Sequence, residues 1–124
     1  MDYEIINNDD HILLTIKGEP DILILNKALQ ESLSLVQTLS TPILFINGHQ
    51  LNKNFKVFEK HHLISQLDEI GFSKDTNFFI MSDMSKEEKT LVETFGSNRS
   101  WKIKVFKYLD QVETIIKRTK TPVI

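Results

Sequence analysis

The chain lacks cysteine altogether and is sparing with proline and glycine, which number three and four among its 124 residues. Without cysteine, it can have no disulfides, thiolate nucleophiles or thiolate-held metal clusters, and it suits a reducing compartment. No apolar run approaches the roughly 18 residues that span a bilayer, and the acidic start does not resemble a signal peptide. We therefore expect a cytoplasmic protein with no integral membrane association.

An excess of one charge sign is also missing, because 15 Lys and Arg oppose 17 Asp and Glu for a formal net charge of −2. This balance provides no cationic field that would hold nucleic acid, so no nucleic-acid partner is expected. A hydrophobic fraction of 40% is ordinary for a globular protein. The length predicts one domain over residues 1–124, with an ordered core over about 3–118.

The spacing of apolar residues predicts the order of the elements. A polar cluster at 7–10 separates two short apolar runs, which is typical of an N-terminal antiparallel hairpin. After Pro20 the period is helical as far as Thr41-Pro42. The continuous apolar run 43–46 then predicts a buried parallel strand, ended by Asn47-Gly48.

The alternation of helix and strand continues through the second half of the chain. A polar loop over 47–56 leads to a second helix that Gly71 ends, and a further buried strand follows at 77–81. The segment 85–88 matches a capping box, which predicts the start of a third helix running to Gly96.

The last strand and helix are predicted from alternation and capping. Residues 101–106 alternate strictly, and Lys102 and Lys104 suit an edge position. The pair at 110 and 113 repeats the cap pattern for a final helix, and the tail 121–124 is expected to be loose. Together these elements predict an α/β fold: a mixed, mostly parallel sheet with an N-terminal antiparallel hairpin and about four helices.

Several short sequence segments carry a family resemblance that spans most of the chain. They are the strand end Ile46-Asn47-Gly48, the helical segments 58–63 and 67–71, and the turn Asn98-Arg99-Ser100-Trp101 followed by Val105-Phe106. With the element order and length, they resemble the SpoIIAA-like group of STAS domains, the fold of anti-sigma-factor antagonists and lipid-binding-like relatives. The resemblance implies a non-enzymatic binding or regulatory module that docks a protein partner or holds a small, possibly lipid-like ligand.

The chain departs from this family in two places. Anti-sigma antagonists of the group carry an aspartate–serine–serine–glycine phosphorylation site where the central strand meets the next helix. Here that junction, 47–51, contains no Ser or Thr, so the phospho-serine switch is absent from it. The glycine of the later turn is replaced by Ser100, which is expected to alter any close backbone approach there.

The expected site lies beyond the carboxyl ends of the parallel strands, in the loops 47–55 and 82–85 and near 108–110. The alternative is a solvated loop whose Asn and Gly residues only turn the chain. The ligand- or partner-binding candidates are Asn47, Gly48, His49, Gln50, Asn52, Phe55, Phe58, His62, Asn98, Arg99 and Trp101.

Arg99 and Trp101 have two interpretations. Arg can clamp a phosphate or carboxylate, and Trp can stack on a flat ligand or a partner surface. Otherwise Trp101 fills the core, Asn98 and Arg99 cap the preceding helix, and Lys102 and Lys104 deter edge pairing.

No catalytic or metal-binding constellation is found. His61 and His62 are adjacent and point about 100° apart on a helix, so they do not chelate one metal, and no nucleotide-binding motif occurs. We predict no catalytic residue, metal or cofactor. The alternative function is a small enzyme or anion-binding protein that uses the 47–54 loop with His49 as acid or base. A homodimer through an apolar helix face is also open.

Overall fold

The computed structural model describes residues 1–120, and the predicted loose tail, 121–124, lies outside them. The strands are β1 (Asp2–Asn7), β2 (Ile12–Gly18), β3 (Ile43–Leu51), β4 (Asn77–Met81) and β5 (Lys102–Phe106). The helices are α1 (Ile22–Val36), α2 (Val57–Ser65), α3 (Leu67–Ile70), α4 (Lys86–Asn98) and α5 (Leu109–Lys120).

The five strands form one sheet in the order β1-β2-β3-β4-β5. β1 pairs with β2 antiparallel and every other pair is parallel, which confirms the predicted mixed α/β sheet with its N-terminal hairpin. Residues 1–120 contain five helices rather than about four. The backbone N–H of Gln66 donates to the Leu63 carbonyl at 3.0 Å, and this tighter turn separates α2 from α3.

The helices cover the sheet unequally. α1, α2 and α4 lie on one face over the larger core, whereas α5 alone packs on the other face over a smaller core. Alternation along β3 serves both cores, since Leu44 and Ile46 point into the larger one and Ile43 and Phe45 into the smaller one. α2 lies between α1 and α4, so it closes the larger core.

The prediction that Asn47-Gly48 ends the third strand is wrong. β3 continues to Leu51 because β2 is long enough to pair with it as far as Gly18, and the Asn52 N–H adds a 2.9 Å bond to the Gly18 carbonyl. The predicted polar loop of 47–56 is therefore reduced to 52–56, between β3 and α2.

Two glycines predicted to end helices behave differently. Gly71 has a φ of 113° and its N–H donates to the Leu67 carbonyl, which confirms it as the residue that ends the second helical segment. Gly96 does not end α4, which runs on to Asn98. It lies where α4 crosses β5, and a Cβ built there would come within 2.8 Å of Ile103 Cδ1. This position needs glycine for close packing rather than for a turn.

Two further helix ends differ from the predictions. α1 ends at Val36 instead of reaching Thr41-Pro42, and turns closed by hydrogen bonds between residues three apart carry the chain onward. α5 begins at Leu109, so Asp110 lies in its first turn and is not its N-terminal cap. Gln111, the third residue of α5, instead reaches back, and its Oε1 accepts bonds from the Lys107 and Tyr108 N–H groups just before the helix, as the second half of a capping box does.

The capping box predicted for α4 is half formed. Ser85 Oγ accepts a 3.2 Å hydrogen bond from the Glu88 N–H, which confirms Ser85 as the N-terminal cap. The Glu88 carboxylate does not accept a hydrogen bond from the Ser85 N–H, because it binds the Lys60 ammonium of α2 instead. The side chain thus links two helices rather than completing the cap.

Candidate functional site

An apolar cavity lies at the carboxyl end of the central strands, between the sheet and helices α1, α2 and α4. Its volume is ≈ 90 Å³. Ile16, Ile46 and Ile80 form its floor on β2, β3 and β4, and Leu25 and Leu63 form part of its roof. This is the position at which ligands bind in open parallel sheets, and residues of both predicted loops, 47–55 and 82–85, line it.

A bulge in β3 shapes the floor of the cavity. Thr15 pairs with Asn47 but Lys17 pairs with Gln50, so β3 carries one extra residue. The extra residue breaks the alternation of β3, and Gly48 and Leu51 both line the cavity although they are three residues apart. A Cβ on Gly48 would lie 3.6 Å from Leu51 Cδ1 and 3.3 Å from the Met81 carbonyl, so the glycine keeps this space open.

The cavity is costly to maintain. At about 24 cal/mol per Å³, a closed void of this volume would lower the stability of a core by about 2 kcal/mol, which is an upper limit here because the cavity meets solvent beside Asn54. Larger side chains at Gly48 or Val92, which both line it, would occupy part of this volume. The bulge and the glycine therefore favour an open cavity over the tightest packing.

Two polar pairs stand at the cavity wall. The Lys60 ammonium binds the Glu88 carboxylate at 2.7 Å, and only 10% of the Lys60 side chain is exposed. The buried Ser82 hydroxyl donates to Asn54 Oδ1 at 3.2 Å. Apart from Gly48, every other residue that lines this cavity in 1–120 is apolar.

Exposed apolar side chains collect at the same end of the sheet. Of the seven large hydrophobic side chains exposed in residues 1–120, five lie at the starts of α1, α2 and α5. Each of these helices follows a strand of the parallel set, so all three begin at the carboxyl ends of those strands. We call this surface the carboxyl edge; its members are Leu23, Val57, Phe58, Tyr108 and Leu109.

The predicted candidates of the β3–α2 region divide between this edge and the cavity. His49, Gln50, Asn52 and Phe58 are exposed at the end of β3 and the start of α2, whereas Phe55 is 9% exposed and lines the cavity with Gly48. Asn47 is half-buried, and its Oδ1 accepts a 3.1 Å bond from the His49 N–H.

Polar contacts shape the rim of the carboxyl edge. Asn52 Nδ2 donates to Glu19 Oε1 at 3.0 Å, and Lys53 Nζ lies 3.6 Å from Glu19 Oε2. The Asn52 hydrogen bond, followed by the Lys53 charge, holds the pKa of Glu19 below its usual value. Glu19 is therefore ionised at neutral pH and joins the end of β2 to the loop before α2.

The structure does not bring the remaining candidates to this edge. Asn98, Arg99 and Trp101 lie where α4 ends and β5 begins, at the opposite end of the sheet. Trp101 is 4% exposed, packs edge-on against Phe78, and carries Lys74 Nζ 3.7 Å above its ring centre. This placement agrees with the core interpretation of Trp101.

His61, rather than the exposed His62, makes the more specific contact. The His61 ring stacks on Phe95 with centroids 4.1 Å apart, and the Arg99 guanidinium lies 3.6 Å from the same Phe95 ring. His61 Nε2 is buried without a hydrogen-bond partner in residues 1–120. The sequence did not reveal this cluster, because His61 lies on α2 while Phe95 and Arg99 lie at the end of α4, and no short motif joins them.

His49 stands without a side-chain partner in residues 1–120. Its side chain is exposed and makes no hydrogen bond or ion pair there that would orient the imidazole. Across the same residues, no three His, Asp or Glu side chains are grouped so as to hold a metal ion. None of the helices described is both long enough and apolar enough to cross a bilayer.

Comparison with known proteins establishes the fold. No protein-family model matches the chain, and no curated protein matches it. Among solved structures, the crystal structure of an anti-sigma factor antagonist from Mycobacterium paratuberculosis is similar, with a TM-score of 0.58 and 16% sequence identity. The match covers 94% of this chain and 93% of that one. The chain therefore has the STAS-type, SpoIIAA-like α/β fold, as the sequence resemblance implied.

Proposed function

We propose that the chain is a non-enzymatic binding module of STAS type that docks a protein partner with its carboxyl edge. The observation that carries the proposal is the concentration of exposed apolar side chains there: Leu23 is 79% exposed and Phe58 is 68% exposed. Large exposed apolar side chains gathered at one end of a fold, rather than scattered singly, are a feature of interaction sites on soluble proteins. The solved structure of the same fold belongs to a protein named for acting on another regulatory protein.

Phe58 is the anchor that this surface offers. Its ring projects from the first turn of α2, and full burial against a partner would contribute about 1.5–3 kcal/mol. Aromatic side chains near the centre of an interface supply much of the binding energy. Val57 lies beside it with 40% of its surface exposed, so the patch extends beyond a single residue.

Polar groups beside the anchor suit the rim of an interface. His49 and Gln50 are exposed at the end of β3, and their side chains offer hydrogen-bond donors and acceptors. The segment 47–57 contains no Ser or Thr, so docking at this position is not governed by phosphorylation of a hydroxyl there. A reducing, cytoplasmic location fits the absence of cysteine.

We assign no catalytic role to the 47–54 loop. A general base needs a partner that fixes its ring, and the exposed His49 has none in residues 1–120. The wall of the nearby cavity is mostly apolar, and there the Lys60 ammonium is paired with Glu88 and the Ser82 hydroxyl with Asn54 Oδ1. These contacts support binding rather than turnover.

The test is affinity capture from the source cells with matched variants. Phe58→Ala removes the anchor, whereas Leu91→Ala removes an apolar side chain that is 50% exposed in the middle of α4, away from the carboxyl edge. We expect a protein captured by the wild type and by Leu91→Ala to fall by about tenfold or more with Phe58→Ala. Equal capture by both variants would contradict the proposal, as would a second copy of this chain as the sole protein held by the edge.

A further inference from the structure

The cavity beneath α2 is lined by none of the five residues of the carboxyl edge, and it has the construction of a ligand site. The bulge between Thr15 and Lys17 turns Gly48 and Leu51 toward the same space, and the glycine leaves that space free of a side chain. A simple packing defect would not need both a strand irregularity and a missing Cβ. We propose that this cavity binds a small uncharged molecule with an apolar body of about four carbon atoms.

The volume sets the size of the ligand. An engineered apolar cavity of about 150 Å³ accepts benzene, with six carbon atoms. In proportion, the ≈ 90 Å³ of this cavity accommodates about four such atoms. A long acyl chain is too large for it unless the roof formed by α2 and Phe55 moves.

The wall sets the charge of the ligand. The Lys60 ammonium is already neutralised by Glu88 at 2.7 Å, and the remaining wall is almost entirely apolar. A charged ligand would enter without a free counter-ion, and burial of an unpaired charge is strongly unfavourable. An uncharged molecule avoids this cost.

A hydrogen-bonding group is available for one oxygen of the ligand. Asn54 accepts from the Ser82 hydroxyl through its Oδ1, which leaves the amide Nδ2 of Asn54 with no partner in residues 1–120. Asn54 is exposed while Ser82 is buried, so this pair stands where the cavity meets solvent. A carbonyl or hydroxyl oxygen of the ligand belongs at this position.

Ligand binding in the cavity is tested separately from protein docking. Butan-2-one, which is uncharged and has four carbon atoms, is titrated against the full chain, with butyrate and decanoate in parallel. Backbone amide chemical shifts of Gly48 and Ser82 report the cavity, and the shifts of Phe58 report the carboxyl edge. We expect saturable shifts at Gly48 and Ser82 with butan-2-one, at about millimolar affinity, and weaker binding of butyrate.

Two Val→Ile variants distinguish an effect on the cavity from an effect on the stability of the whole protein. Val92→Ile adds a methylene group to the cavity wall, whereas Val112→Ile adds it to the other core, under α5. We expect Val92→Ile to weaken butan-2-one binding by about tenfold and Val112→Ile to leave it unchanged. If Val92→Ile does not fold, Gly48→Ala narrows the same space and takes its place.

Three results would overturn the inference. One is the absence of saturable shifts at Gly48 and Ser82, and another is equal weakening of binding by the two valine variants. The third is tighter binding of butyrate or decanoate than of butan-2-one, which would assign the cavity to an anion or an acyl chain. None of these results bears on the capture experiment with Phe58→Ala, so the two proposals fail separately.

Discussion

Replacement of Gly96 by alanine tests how closely α4 is packed on β5. In a helix that only touched solvent at this point, the change would stabilise the protein, because alanine favours helix over glycine by about 1 kcal/mol. Here the new Cβ would lie 2.8 Å from Ile103 Cδ1, 3.2 Å from Cγ1 and 3.3 Å from Cβ. The Cδ1 atom can rotate away, but the Ile103 Cβ cannot, so the helix or the strand must shift.

The net effect follows from two opposed contributions. Overpacking a tight core contact costs about 1–3 kcal/mol, and the gain in helix propensity returns about 1 kcal/mol. We therefore expect Gly96→Ala to destabilise the protein by about 1 kcal/mol. This corresponds to a fall of about 4 °C in the melting temperature of a domain of this size.

A double-mutant cycle with Ile103→Val identifies the contact responsible. Valine lacks the Cδ1 atom nearest to the new methyl group but keeps the Cβ and γ carbons, so Gly96→Ala should cost clearly less in that background without becoming neutral. The assay is urea unfolding of the wild type, both single variants and the double variant. If Gly96→Ala stabilises the protein, or if the two changes are additive within about 0.3 kcal/mol, the reasoning is refuted.

Three further changes test local features of the fold by chemical denaturation. Ser100 has a φ of 65°, so Ser100→Gly should stabilise the protein by about 0.5 kcal/mol, the relief of backbone strain less the added unfolded-state entropy; destabilisation would contradict this. Ser85→Ala should cost about 1 kcal/mol by removing the cap of α4, and an unchanged unfolding midpoint would argue against that cap. A hydrogen bond from Lys120, and then one from His11, lower the pKa of Asp10. Because the folded-state pKa of Asp10 lies below its unfolded value, the ionised carboxylate stabilises the protein above about pH 4, and this stability is lost as pH falls through the folded pKa. Asp10→Asn should therefore lower the free energy of unfolding by at most about 1 kcal/mol above about pH 4 and have no effect in strong acid. A difference that persists in strong acid would refute this.

Local patterns predicted most of the fold because they are set by neighbours in sequence. Continuous apolar runs identify β3 and β4, which are covered on both faces, and Ser85 precedes α4 as a capping residue does. The errors arose where partners distant in sequence decide the structure. β3 runs past Gly48 because β2 pairs with it, and α4 runs past Gly96 because glycine there serves contact with β5.

The candidate site could be predicted only in outline. Ligands bind beyond the carboxyl ends of parallel strands, and this rule indicated the 47–55 loop. Gly48 and Phe55 of that loop line the cavity. The sequence did not show that Lys60 and Glu88 meet, because 28 residues separate them. Nor does a sequence reveal which apolar side chains remain exposed, so Tyr108 and Leu109 lay within the predicted site region near 108–110 but were not named as binding candidates.

Site-specific photocrosslinking tests the central claim, that the carboxyl edge docks a protein partner. A photoreactive phenylalanine analogue replaces Phe58 in one form of the protein and Leu91 in the other, since both side chains are exposed on helices of the same face. Irradiation in the source cells should give a discrete covalent adduct with a second, different protein from position 58 and none from position 91. Adducts from position 91 alone, adducts from both positions, or none from position 58 would contradict the account.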